Sequence, residues 1–272
     1  MAHIQSKDRS VWLFYVLAFG WTWLFWVPLA LAEQGIISLP ENLPSFLAEG
    51  NLAAWGPLLA SLLLTYLNGG WAGIRNLIRQ GVQVRFGLFW YAIVLLLFPV
   101  MLGGAGWLAQ IVGAELPPSG AFAEPLSLPI SFVWIFFLGG PLQEEFGWRG
   151  YATDRLQKKW NALVASLVIG FLWAAWHLPL FFIPRQEAYY NRPVWGIFLT
   201  DMLVTVLLTW VYNNTNKSIF AAMLLHTTFN WSNYLFTTLF TDLGGQIFFG
   251  LLIAAVVIVV LAYGPQKLVR DT

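Results

Sequence analysis

An all-α, polytopic membrane bundle of about eight transmembrane helices with both termini cytoplasmic is the fold this sequence predicts, and three observations predict it. The 272-residue chain is 58% hydrophobic and 17% aromatic but only 10% charged, with mean hydropathy +0.67, whereas soluble domains carry roughly 25% charged residues. Its apolar residues gather into runs near the roughly 20 residues that cross a hydrocarbon core. Its few Lys and Arg residues cluster between alternate runs. A net charge of +1 gives no basis for nucleic-acid binding, and the absence of cysteine removes disulfides, thiol nucleophiles and thiolate metal sites.

The first run, Val11 to Ala32, follows Lys7 and Arg9 and precedes Glu33, Glu41 and Glu49, so its N-terminal end faces the cytoplasm. It is too long for a signal-peptide core and lacks a small-residue cleavage site, so it is expected to stay as a span. A second span covers Leu52 to Leu67. The turn signal Asn68-Gly69-Gly70 then leads into a basic cytoplasmic segment with Arg75, Arg79 and Arg85. The third, Leu88 to Val112, is followed by an external loop with Glu115, Glu124 and Pro117-Pro118. Leu128 to about Lys159 is too long for one plain span and reads as a broken, tilted fourth helix with a basic end. The fifth is Ala162 to Ile183 and the sixth Val194 to Tyr212, followed by the polar turn from Asn213 to Lys217. The seventh is Ser218 to Phe240, and Gly244-Gly245 is expected to separate it from the eighth, Gln246 to Tyr263. Eight spans put all but two of the 14 Lys and Arg residues, Arg185 and Arg192, on the cytoplasmic side. The chain, 1–272, reads as a single integral, multi-pass membrane domain with bilayer lipid as its surroundings.

The stretch from Gly139 to Arg149 (Gly-Gly-Pro-Leu-Gln-Glu-Glu-Phe-Gly-Trp-Arg) places two carboxylates and an arginine inside this apolar pattern. A charge at the bilayer centre costs about 2.5–3.5 kcal/mol on insertion scales, which makes the acidic pair a functional hypothesis. Gly139-Gly140 breaks the preceding helix, and Pro141 suits the first position of a new one. On that helix Glu145 and Arg149 are four apart and can pair, while Glu144 points about 100° away and is read as the free carboxylate.

Counting at 1.5 Å per residue from the cytoplasmic ends puts Glu144 roughly 21 Å deep, His177 about 24 Å, His226 about 14 Å and Asn230 about 20 Å. His226 and Asn230 are four apart and share a face of the seventh span. Of the three histidines only His3 lies outside the membrane pattern. The expectation is therefore one polar layer drawn from the fourth, fifth and seventh spans. Asp201, in the sixth, lines the cavity or bonds a neighbouring helix. Ser61, Ser166, Ser232 and Asn233 read as helix-pairing groups, and Trp21, Trp23, Trp26 and Trp195 as interfacial belts.

A carboxylate, two imidazoles and a carboxamide can activate a water and stabilise the oxyanion formed when it attacks an amide. The other intramembrane hydrolase patterns are missing: there is no His-Glu-x-x-His motif, no pair of membrane aspartates and no Gly-x-Ser-Gly serine. No cofactor is required, though Glu144, His177 and His226 offer a ligand set for zinc with an open position. A proton-relay transporter would use the same residue types, but inverted repeats are absent from the sequence.

Glu144-Glu145-x-x-x-Arg149, then His177 in Phe-Leu-Trp-Ala-Ala-Trp-His-Leu-Pro, then His226-x-x-x-Asn230, resembles the three-motif signature of the CPBP (CAAX protease and bacteriocin-processing, or Abi) family of intramembrane endopeptidases. The motifs cover 128–235. One departure is Trp173, where the second motif usually has Phe; altered pocket shape without lost chemistry is expected. The resemblance implies an eight-helix core and hydrolysis of a peptide bond in a membrane-associated peptide or protein, prenylated in the CAAX branch. Glu144 would be the general base on water, assisted by His177; His226 and Asn230 would bind the oxyanion; Glu145 and Arg149 would hold the site together. It also implies an alternative, a peptide- or lipid-binding or bacteriocin-immunity protein of the same fold that does not cut. A bacterial or archaeal bearer would carry it in the cell membrane.

Overall fold

A computed structural model describes residues 2–40, 42, 50, 52–190 and 192–270, with side chains from residue 11 onward. Glu41 and Glu49 lie outside the described residues, as do the side chains of Lys7 and Arg9. The described residues form helices and no strand, as the apolar runs require when every backbone N–H and C=O must be bonded within its own segment. In order they are α1 (Ala2–Glu33), α2 (Gly56–Gly81), α3 (Leu88–Ile111), α4 (Ser127–Leu138), α5 (Pro141–Gly147), α6 (Ala162–Trp176), α7 (Val194–Asn214), α8 (Ile219–Leu235) and α9 (Asp242–Tyr263). Among the described residues, five stretches are long and apolar enough to cross a membrane: Val11–Glu33, Leu88–Ile111, Ala162–Phe182, Val194–Asn214 and Asp242–Tyr263.

The turn signals act where expected in two places. α2 kinks at Gly70, whose φ of 57° and ψ of −152° are open to glycine. α4 stops at Gly139-Gly140, Gly140 having φ 112°, and α5 begins at Pro141. From Trp148 to Thr153 the helix widens into a π turn, then tightens again over Asp154–Leu156.

Near the C-terminus the expectation fails. Gly244-Gly245 does not separate the last two helices; both lie inside the first turn of α9. The break comes earlier, because α8 ends at Leu235 and Thr241 caps α9, its Oγ1 accepting from Gly244 N at 3.2 Å. Ser61, Ser166, Ser232 and Asn233 each bond a carbonyl three or four residues back on their own helix, so these bonds are not made between helices.

The residues divide into two compact units, the first comprising the chain up to Ile78 with Gln143–Thr205, the second Arg79–Leu142 with the chain from Val206. In the first, α1 crosses the start of α2 closely: Thr22 Oγ1 donates to Ala53 O at 2.7 Å, and a Cβ on Gly56 would lie 2.5 Å from Ala18 O. α6 meets α7 in the same way at Gly170. In the second, α3 packs on α8 through the Phe98–Phe229 ring contact and through Thr228 Oγ1, which donates to Val94 O at 2.7 Å. Trp231 Nε1 reaches Leu128 O at 3.2 Å, seating α4 on α8.

Gly170→Ala is expected to destabilise the protein by about 1–3 kcal/mol, because the added Cβ would sit 2.5 Å from Met202 Cα and 2.7 Å from Asp201 O, backbone atoms that cannot rotate away. Thermal unfolding in detergent checks this; an unchanged midpoint would contradict the close crossing.

Candidate active site

Two side chains on α5 and the π turn supply the charge expected in this stretch. Glu145 and Arg149 are both fully buried. Arg149 Nη1 donates to Glu145 Oε1 at 3.2 Å, while Nε stands 3.1 Å from Oε2 as an ion pair without hydrogen-bond geometry. The pairing follows from their spacing of four residues, as expected. It answers the cost of placing either charge among apolar side chains.

Glu144 is also buried, at 4% exposure, but it is not the free carboxylate the sequence suggested. Its Oε2 accepts from Trp148 Nε1 at 3.2 Å, one turn on, and from Trp173 Nε1 on α6. Two indole donors satisfy an anion without neutralising it and fix its orientation. Trp173, expected to alter shape alone, therefore contributes an N–H that phenylalanine lacks. The rings behind these donors form a continuous wall: Trp148 meets Phe14 at 5.5 Å, Tyr15 at 5.8 Å and Trp176 at 5.9 Å between centroids.

His177 follows the last residue of α6, where Leu178-Pro179 turns the chain into a 3-10 segment ending at Phe182. Its ring lies nearly parallel to Tyr189 (5.0 Å, 25°) and to Trp26 (6.2 Å, 22°), with Trp176 edge-on at 4.7 Å. Trp26, read from sequence as a belt residue, is thus a buried neighbour of His177; Trp21 and Trp195 are exposed. Trp173 joins the two halves of this unit's polar cluster, bonding Glu144 and lying 5.8 Å from the His177 ring. Asp201 Oδ2 on α7 stands 3.8 Å from His177 Nδ1.

His226 and Asn230 belong to the second unit. They occupy one face of α8, His226 buried and Asn230 half-buried. Asn230 Nδ2 donates to Gly139 O at 3.1 Å, taking up a carbonyl where α4 ends and leaving its second amide hydrogen for another acceptor. Sequence reasoning located all six motif residues but missed the indole donors and the approach of Asp201 to His177. For Trp148 a signal existed, since it follows Glu144 by four residues on one helix.

Among the described residues, no group of three or more His, Asp or Glu side chains is placed to hold a metal ion.

Multiple apolar helices around buried Glu, Arg and His side chains define a class, the integral, multi-pass membrane protein with a charged interior cluster. Within it, residues 126–232, the segment carrying all six motif residues, match the family model described as Type II CAAX prenyl endopeptidase Rce1-like. CAAX prenyl protease 2 of Methanococcus maripaludis is 34% identical over 116 residues. That alignment covers 40% of this chain and 43% of the archaeal protein, so the chain spans less than half the length of the relative it matches.

Arg149→Leu removes the cation paired with the buried Glu145 carboxylate and is expected to cost about 3–5 kcal/mol, most of it recovered in a Glu145→Gln, Arg149→Leu double variant. Thermal unfolding of the purified variants decides it; a single variant as stable as wild type would show that the pair carries no such strain.

Proposed function

We propose that the chain is an intramembrane endopeptidase that hydrolyses a peptide bond in a membrane-associated peptide of CAAX or related type, working as one domain of eight spans with both termini cytoplasmic. Support comes from the family match of the segment and from one observation above all: the Glu144 carboxylate is buried and held by two neutral indole donors. The indoles fix the orientation of the carboxylate, and a general base must be held within reach of the proton it takes.

In this reading a water is deprotonated by Glu144 with His177 assisting, and its oxygen attacks the scissile carbonyl. The carbonyl oxygen becomes an oxyanion that receives hydrogen bonds from His226 and Asn230. Collapse of the tetrahedral intermediate breaks the C–N bond, and the proton taken from water passes to the leaving amine. Glu145 and Arg149 touch no reacting atom; they seat the helix that presents Glu144. No metal is required, and the substrate is prenylated or a related membrane peptide.

Glu144→Gln keeps an acceptor for the indoles but cannot take a proton, so cleavage of a farnesylated CAAX peptide by protein in liposomes is expected to fall about 10²–10⁴-fold with unfolding unchanged. Wild-type rates in that variant would remove Glu144 from the chemistry. Wild-type protein that binds the peptide without cutting it would favour the binding alternative. Treatment with 1,10-phenanthroline is expected to leave the rate unchanged; loss of activity restored by added zinc would overturn the metal-free mechanism.

A further inference from the structure

Asp201 is a buried carboxylate, 7% exposed, in the middle of a membrane-length helix, and neither the ion pair nor the motif residues account for it. Its position is set by backbone packing. The crossing of α6 and α7 at Gly170 is close enough that the Asp201 carbonyl would lie 2.7 Å from a Cβ there, which keeps Asp201 beside the C-terminal half of α6. From that place its Oδ2 stands 3.8 Å from His177 Nδ1.

The rings around His177 fix one thing and leave another open. Tyr189 and Trp26, each within 25° of parallel, set the plane of the imidazole. Stacking on flat rings does not decide which nitrogen points where, nor which carries the proton. A carboxylate near one nitrogen decides both, because it accepts from N–H and repels a lone pair. The separation exceeds a hydrogen bond of 2.7–3.2 Å, and catalytic hydrogen bonds in substrate-free enzymes are often long and tighten on binding. The other charged groups acting on Asp201 are Glu144 and Arg149, and Tyr189 stands within the field of both Asp201 and Glu144.

We propose that Asp201 is the positioning residue of His177, holding the imidazole with its proton on Nδ1 so that Nε2 is the nitrogen presented for proton exchange. The catalytic part of this inference rests on the proposed hydrolytic function, in which His177 assists Glu144; the tautomer does not.

The test uses the full chain in liposomes with ¹⁵N-labelled histidine. Only three histidines are present, so a His177→Gln sample assigns the ring signals. In wild type above pH 8, His177 is expected to be protonated on Nδ1, and in Asp201→Asn the signals are expected to move toward the Nε2–H form. In parallel, Asp201→Asn is expected to lower kcat for the farnesylated peptide by about tenfold or more with KM within about twofold, and Asp201→Glu to recover part of the loss. Wild-type His177 protonated on Nε2 overturns the proposal whether or not any variant folds, and so does a His177 spectrum unaltered by Asp201→Asn. A wild-type protein that cuts no peptide, yet shows Nδ1–H, would remove the hydrolytic reading and leave Asp201's control of the tautomer standing.

Discussion

An ionised carboxylate inside an apolar helical protein must be met by donors from the same chain, and the first unit is arranged around that requirement. Glu145 is met by Arg149 on the next turn, both fully buried. The pair ties α5 to the π turn after it, so the chain cannot unwind between the two without breaking a buried ion pair. Gly147 tightens the seat further, since a Cβ there would lie 2.8 Å from Pro57 O.

Glu144 is treated differently, and the difference has chemical content. The donors on Glu144 Oε2 are neutral indoles. Two neighbouring glutamates thereby meet different hydrogen-bond donors, Glu145 the guanidinium and Glu144 two indoles. The same aromatic residues serve twice, because Trp148 and Trp173 donate through nitrogen while their rings pack against Tyr15, Phe14 and the Arg149 guanidinium, whose Cζ lies 5.9 Å from the Trp173 ring. His177 lies within this aromatic shell.

What the sequence made legible was local. The break at Gly139-Gly140, the start at Pro141, the kink at Gly70 and the Glu145–Arg149 pair each follow from residues within one or two turns of one another. What it hid was set by packing between segments. Trp173 is 29 residues from Glu144, and Asp201 reaches His177 across the loop that joins α6 to α7. No periodicity encodes such meetings. Trp26 was misplaced because a tryptophan near a helix end reads as an interfacial anchor until a second helix is seen to cover it. Gly244-Gly245 misled for a capping reason: glycine is tolerated in a first helical turn, and Thr241 supplied the stronger start signal.

The claim that most needs a direct answer is that Glu144 activates water and does not itself bond to the substrate. A single turnover of the farnesylated peptide in H₂¹⁸O, with enzyme in excess, separates the two routes. The expected result is one ¹⁸O in the new C-terminal carboxylate of the shortened peptide and none in the enzyme fragment bearing Glu144. Label in Glu144 would mean an acyl anhydride formed there, and would contradict the general-base account.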